Sequence, residues 1–444
     1  MSTSTSVAVR YRGVSVALET HRHRHPSVRF GTPLGGQVED VSVDATATSP
    51  RLYDGAEHEA LRDVTWSSRA ALDGAAEIVH DALHRARDGL WPLHPDDARE
   101  DDPFDVATCV YFGAAGVTLA LDWLAHELDT PRPSSIPEHL DRLRATHASN
   151  PSWEPSPASW LLGRAGVAAV LHVVDGAPLE PVLEHAATAI DNATHDPLTG
   201  AGHALTGLVA LHARVPDARI VDLVRAGVDR ELAALATDPA GTRMWHVDLY
   251  GTDAWLTGAG HGAAGSLQSM LQGAHLLDDD TAATARTLAR DLVVRTALRD
   301  GDLANWAPAS DSTEGRIPVQ WCHGAPGVLL ALADAARGDD GTTDLLRAGG
   351  ELTWRAGPLR KGSTICHGTA RSALALLRLF ELTQDELWLE RARLLAMHAL
   401  DQVRRRRAEV GHGRYSLITG DLGVATCLVQ CERVRPGVVG LDLL

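Results

Sequence analysis

The chain has 444 residues, with 41 Lys and Arg against 58 Asp and Glu, a formal charge of −17. Such acidity argues against a nucleic-acid partner, because gripping a phosphate backbone calls for a basic face. Five cysteines in so long a chain do not make a disulfide framework, and neither a signal-peptide stretch nor a run of membrane-spanning length is visible. The expected compartment is the cytoplasm, where cysteines serve as ligands or nucleophiles rather than bridges.

Residues 1–55 are rich in Ser, Thr, Arg, His and Gly without a helical period and are expected to form an irregular arm or cap. Its "HRHRHP" run (His21, His23, His25) reads as arm rather than metal site. Residues 56–444 are expected to form one all-helical domain. Within it a small-x-x-small pattern followed by an apolar run recurs seven times, starting at Gly113, Gly163, Gly200, Gly262, Gly324, Gly368 and Gly420. Each apolar run is too uniformly apolar for a surface helix and predicts burial nearly all round. Amphipathic stretches such as "PLEPVLEHAATAIDNA" alternate with them. Seven buried and seven amphipathic helices predict an α/α toroid, a closed double ring that needs no capping repeats. The glycines fit the inner-helix N-termini, where backbones converge.

Registering the copies on that first glycine aligns residues distant in sequence. His261, His323 and His367 stand one position before it, and Cys322 and Cys366 stand two before it. Three neighbouring repeats therefore bring two thiols and three imidazoles to one mouth, and Asp196, four before Gly200, is placed to lean in. Two thiolates and an imidazole suit zinc and leave a fourth position open. Helix N-termini and the metal both favour thiolate. An open position takes water, for hydrolysis, or a substrate thiol, for thiol transfer; two thiolate ligands weaken the Lewis acid and tilt the choice toward thiol chemistry.

The motifs "GAGHGAAG", "WCHGAPGV", "CHGTA" and "YSLITGDLGVA", in this order over residues 60–444, resemble the lanthionine synthetase C (LanC) family. "WCHGAPGV" and "LRKGSTICHG" are most similar to its LanC-like branch. The resemblance implies a toroid of seven helical layers and zinc-assisted addition of a thiol to dehydroalanine or dehydrobutyrine, giving a thioether. The thiol is a Cys of the same peptide in the cyclases and glutathione in LanC-like proteins. It further implies that Cys322, Cys366 and His367 hold Zn²⁺, that His261 moves protons, that Asp196 is its acidic partner, and that His323 is a second site histidine. Lys361 and Arg414 match positions for glutathione carboxylates. Arg371 departs from the pattern by replacing the second glycine of repeat six, and either binds an anionic substrate or marks a looser turn. The implied partners are a dehydrated precursor peptide or a glutathione-like thiol, with any dehydratase or kinase a separate protein.

Plainer readings attach to other features. Cys427 and Cys431, one turn apart on a buried run, read as core. Arg404 to Arg407 read as the solvated end of an outer helix. The long loops at about 238–257 and 300–320 carry Trp245, Trp255 and Trp306, with Trp321 at the next motif; these either grip a peptide or plug the rim. A non-catalytic zinc scaffold for thiols or peptides is the alternative function. A glycosidase on the same fold has no paired carboxylates to support it.

Overall fold

Each of the seven glycine motifs stands at the start of a buried helix. The structure, a computed structural model, describes residues 8–11, 14–17, 51–97, 106–149, 157–249, 252–310 and 317–444; the "HRHRHP" run lies outside them. The outer helices are α1 (Ser68–Arg85), α3 (Ile136–Ser149), α5 (Glu180–Ile190), α7 (Ala218–Ala233), α9 (Asp279–Thr296), α11 (Asp340–Ala356) and α13 (Glu386–Val410). Alternating with them are the inner helices α2 (Ala114–Glu127), α4 (Arg164–Asp175), α6 (Ala201–Arg214), α8 (Ala263–Gln272), α10 (Ala325–Leu332), α12 (Thr369–Thr383) and α14 (Asp421–Arg433). Each inner helix packs on the next, and α14 returns to α2 while α1 packs on α14. The result is a closed α/α toroid.

Burial separates the two rings as their sequences require. α1 buries only the stripe Ala71, Gly74, Ala75, Ile78 and Ala82, whereas every residue of α8 is buried except Gln272. Capping separates them too. Side chains of Ser67, Asp217, Asp278, Asp339 and Asp385 accept amide hydrogen bonds at the starts of outer helices. All seven inner helices instead have glycine at the capping position, which offers no side chain to their amides.

The inner amides are satisfied by a recurring backbone turn. The first helical N–H donates to the carbonyl seven residues upstream in Ala114→Ala107 (2.9 Å), Arg164→Pro157 (2.7 Å), Ala263→Leu256 (2.9 Å), Thr369→Gly362 (3.0 Å) and Asp421→Arg414 (2.5 Å). In repeat five Asn305 stands in: its Oδ1 accepts from Ala325 N–H (2.7 Å) and its Nδ2 donates to Pro318 O (3.3 Å). Gly324 there has φ 107°, and a Cβ would collide with the Pro318 carbonyl. Turns of adjacent repeats are also sewn together. Tyr111 N–H donates to Leu161 O (2.9 Å), Ile418 N–H to Tyr111 O (3.0 Å) and Cys366 N–H to Ile418 O (2.9 Å).

Short antiparallel hairpins interrupt the helices. Two occupy loops where sequence periodicity shows none: Val247–Leu249 with Thr252–Ala254, and Ala297–Asp300 with Leu303–Trp306. Trp245 and Trp306 are buried and donate through Nε1 to the carbonyls of Glu231 (2.8 Å) and Val293 (3.0 Å), so they plug the rim and anchor it to α7 and α9. Ahead of α1, Leu52 is buried and Glu59 bonds His398 (2.8 Å) and Gln402 (2.9 Å), so the chain already packs on the ring there. Ala8–Tyr11 pairs antiparallel with Val14–Ala17 in the expected arm. The run Arg404 to Arg407 ends α13 as expected, but ion pairs to Glu77, Asp401, Asp96 and Asp421 tie it down.

Two stability predictions follow from these contacts. Asn305→Ala leaves a buried amide and carbonyl without partners and should lower unfolding free energy by about 2–4 kcal/mol, read from urea denaturation. Burial holds His94, His147 and His203 down to pKa values of about 4, so between pH 6.5 and 4 the unfolded chain binds protons that the fold refuses. Asp421, raised to about 6 by burial, and the raised Asp442 and His261 act in the opposite sense, but His58, His185 and His323 are lowered as well and leave the balance with the histidines. The urea midpoint should therefore fall from pH 7 to pH 5.

Candidate metal centre

Cys322 and Cys366 end the turns leading into α10 and α12, which are neighbours in the inner ring. Their Sγ atoms are 3.7 Å apart, and His367 Nε2 lies 3.2 Å from Cys322 Sγ and 3.4 Å from Cys366 Sγ. A disulfide is excluded at that separation. Two sulfurs and a nitrogen bound tetrahedrally at zinc distances would be roughly 3.5–3.8 Å from one another, so the donor set fits the ion with little movement. Both cysteines are buried and His367 is half-buried.

The thiols are electrostatically unequal. Burial opposes ionisation of Cys366, but hydrogen bonds from Cys322, His367 and Tyr111, together with the His367 charge, hold it well below the ordinary thiol range. Cys322 is pushed well above that range by its bond to Cys366, by burial and by the Cys366 charge. Ionisation of Cys366 thus opposes that of Cys322. A bound dication would take both as thiolates.

The loop "TGAGHG" seats His261 against this pair. A Cβ at Gly260 would lie 2.9 Å from Cys322 Sγ, so only glycine lets the loop come so close. His261 Nδ1 donates to Asp196 Oδ2 at 2.7 Å, which leaves Nε2 as its free ring nitrogen. Asp196 is fully buried; its other oxygen accepts from Thr199 N–H and Oγ1, both at 3.0 Å. The residue is thus a turn cap and a histidine partner at once. Burial works against a charged His261, yet the Asp196 carboxylate, by charge and hydrogen bond, and Cys366 outweigh it and hold the imidazole above its ordinary pKa. His323, with its ring 6.0 Å from that of His261, is buried and kept neutral, with a pKa of about 3 set by burial and by His261 and His367.

The remaining expected residues divide. Lys361 is exposed and near enough for its charge to act on Cys322. Arg414 is committed elsewhere: it forms a two-pronged ion pair with the half-buried Asp97, Nε to Oδ2 at 2.8 Å. Arg371 is fully buried, so it faces the protein interior rather than a dissolved anion, and its turn is not loose, because Nε donates to Ile365 O at 3.0 Å. Cys427 and Cys431 are buried in α14 as core. A cavity of about 360 Å³ lies at the other end of the ring, among late residues of α6, α8, α10 and α12; its Arg378 is paired with Asp334, away from the thiols.

Tyr111 is the site residue that sequence reasoning missed. Its Oη is 2.5 Å from Cys366 Sγ. The signal was present, since Tyr111 stands two before Gly113, the register of Cys322 and Cys366.

With this geometry in view, comparisons with known proteins agree. The family model for "Lanthionine synthetase C-like protein" matches residues 105–435. The chain is 32% identical over 155 residues to "Glutathione S-transferase LANCL1" of Danio rerio, covering 34% of this chain and 36% of that protein. It is 30% identical over 224 residues to "LanC-like protein GCL1" of Arabidopsis thaliana, covering 47% of each. The matches thus span between a third and a half of these curated relatives. Among solved structures "Nisin cyclase" superposes with a TM-score of 0.60 at 12% identity, over 83% of this chain and 96% of that one, a likeness of fold. The chain belongs to the lanthionine synthetase C-like family.

Proposed function

We propose that this protein is a zinc-dependent enzyme that adds a thiol across the double bond of dehydroalanine or dehydrobutyrine, forming a thioether. The observation carrying this reading is the grouping of Cys322, Cys366 and His367 donors within 4.8 Å beside the His261–Asp196 pair. When bound by these three residues, zinc would keep an incoming sulfhydryl ionised at neutral pH. No leaving group and no redox change are involved. The sulfur adds to the β-carbon, the electron pair moves to the α-carbon as an enolate, and one proton completes the addition.

The chain's own groups serve the proton step. His261 lies close enough to the thiols for the Cys366 charge to act on it, and Asp196 keeps the proton on Nδ1 and favours the charged ring. The ring can then give its Nε2 proton to the enolate carbon, and the proton lost by the thiol restores the balance. His323, neutral and buried alongside, is available for orienting contacts rather than for carrying charge.

In the first reading the thiol is a cysteine of the dehydrated peptide and the product is a lanthionine ring. Exposed Lys361 favours a second reading, with glutathione as the thiol: a cation near Cys322 would bind its carboxylates, and a relative is named a glutathione transferase. The tests separate these. Cys366→Ala should lose stoichiometric zinc, measured by elemental analysis, and addition to a dehydroalanine peptide should fall to background by mass spectrometry. His261→Gln should keep zinc and lose about 10²-fold or more in kcat. Lys361→Ala should raise KM for glutathione about two- to fivefold and leave peptide cyclisation unchanged if glutathione is the substrate. Zinc-loaded protein that adds neither kind of thiol faster than Cys366→Ala would reduce it to a binding scaffold.

A further inference from the structure

Five of the seven repeats carry glycine at the second small position: Gly116, Gly166, Gly265, Gly327 and Gly423. In each, a Cβ would collide with the carbonyl oxygen three residues before the first glycine, namely that of Val110, Trp160, Ala259, Trp321 or Leu417. Repeats three and six are the exceptions, with His203 and Arg371. Both of these pattern-breaking side chains go to the same place, the indole of Trp321. The Arg371 guanidinium carbon is 4.5 Å from that ring's centre. The His203 imidazole is stacked on it, 5.3 Å between centres and 12° from parallel. All three residues are almost wholly buried, at 0% exposure for His203 and Arg371 and 1% for Trp321.

We propose that His203, Trp321 and Arg371 form a stacked strut beneath the metal centre, with His203 and Arg371 as positioning residues that set the spacing of its ligands. This rests on the zinc reading above. Trp321 is joined directly to Cys322. Arg371 Nε donates to the carbonyl of Ile365, which is joined directly to Cys366 (3.0 Å). His203 Nε2 donates to the carbonyl of Ala259, two residues ahead of His261 (3.1 Å). The stack therefore holds together the three turns that carry both sulfur donors and the proton-moving histidine. A guanidinium buried this deeply is expensive to keep, and its two terminal nitrogens have no hydrogen-bond partner among the described residues. Glycine is tolerated at the equivalent position five times, so filling the turn does not require arginine. What it adds is a planar group able to stack and bond at once, with a positive charge acting on both thiols.

The test uses the full chain and cobalt(II), whose ligand-field spectrum reports donor geometry independently of turnover. Arg371→Met, Arg371→Lys, His203→Ala and Trp321→Phe are compared with wild type by circular dichroism, by chelator competition and by the cobalt spectrum. Arg371→Met and His203→Ala should keep the helical signal but bind cobalt about 10–100-fold more weakly, with altered visible bands. Arg371→Lys retains charge without the fork and should fail nearly as badly, whereas Trp321→Phe retains an aromatic face and should stay closest to wild type. The double variant His203→Ala with Arg371→Met should be little worse than the poorer single one, because the stack acts as a unit. Unchanged cobalt affinity and bands in Arg371→Met and His203→Ala would overturn the strut. So would full rescue by Arg371→Lys, which would make charge alone sufficient. If wild type binds no cobalt, the strut and the zinc reading fall together. If wild type binds cobalt with these differences yet adds no thiol, only the proposed function falls.

Discussion

Seven helix starts must converge on one small mouth, and the space there admits backbone but few side chains. Everything else in the toroid follows from that crowding. A Cβ at Gly258 would collide with the carbonyl of Cys322, and one at Gly327 with the carbonyl of Trp321. The capping position of every inner helix is correspondingly a glycine; the first amides of five turn to carbonyls seven residues upstream, and that of α10 to the Asn305 side chain. The outer ring has room, and there Ser and Asp caps serve as in any surface helix.

Crowding also concentrates chemistry. Positions one and two before the first glycine lie at one level of the ring, so residues contributed by separate repeats become neighbours. Repeats five and six supply the sulfur and nitrogen donors, repeat four supplies His261, repeat three its Asp196 partner, and repeat one Tyr111. Backbone hydrogen bonds between successive turns, from Leu161 through Tyr111 and Ile418 to Cys366, tie this level together. Such a framework can hold donors near metal-binding geometry before any ion arrives, which lowers the cost of assembling a site. The surface carries a large net negative charge, while the buried Arg371 supplies positive charge immediately behind the thiols.

The glycine-marked repeat is legible because the constraint that creates it is local: a tight turn and a close approach require glycine wherever they occur. Counting those marks yields seven inner helices, and aligning them brings Cys322, Cys366, His261, His323 and His367 to one level. Tyr111 obeys the same register but carries no such signal, since a phenol is not among the side chains that spacing rules associate with metals. The hairpins in the loops ahead of α8 and α10 have too few residues for a strand period to stand out. Arg414 could be placed near the mouth but not paired, because Asp97, its partner, is distant in sequence.

By itself the sequence determined the repeat number, the alternation of buried and amphipathic helices, and the residues that share a level, for each of these is written in short-range pattern. Tertiary structure alone decided which residues of that level touch. Closing the ring set the sulfur spacing, turned Nδ1 of His261 onto Asp196, and brought His203 and Arg371 to one indole from repeats either side of it. Those meetings depend on the angle at which each repeat enters the circle. That angle is the sum of packing contacts around the whole ring, and no window of sequence contains it.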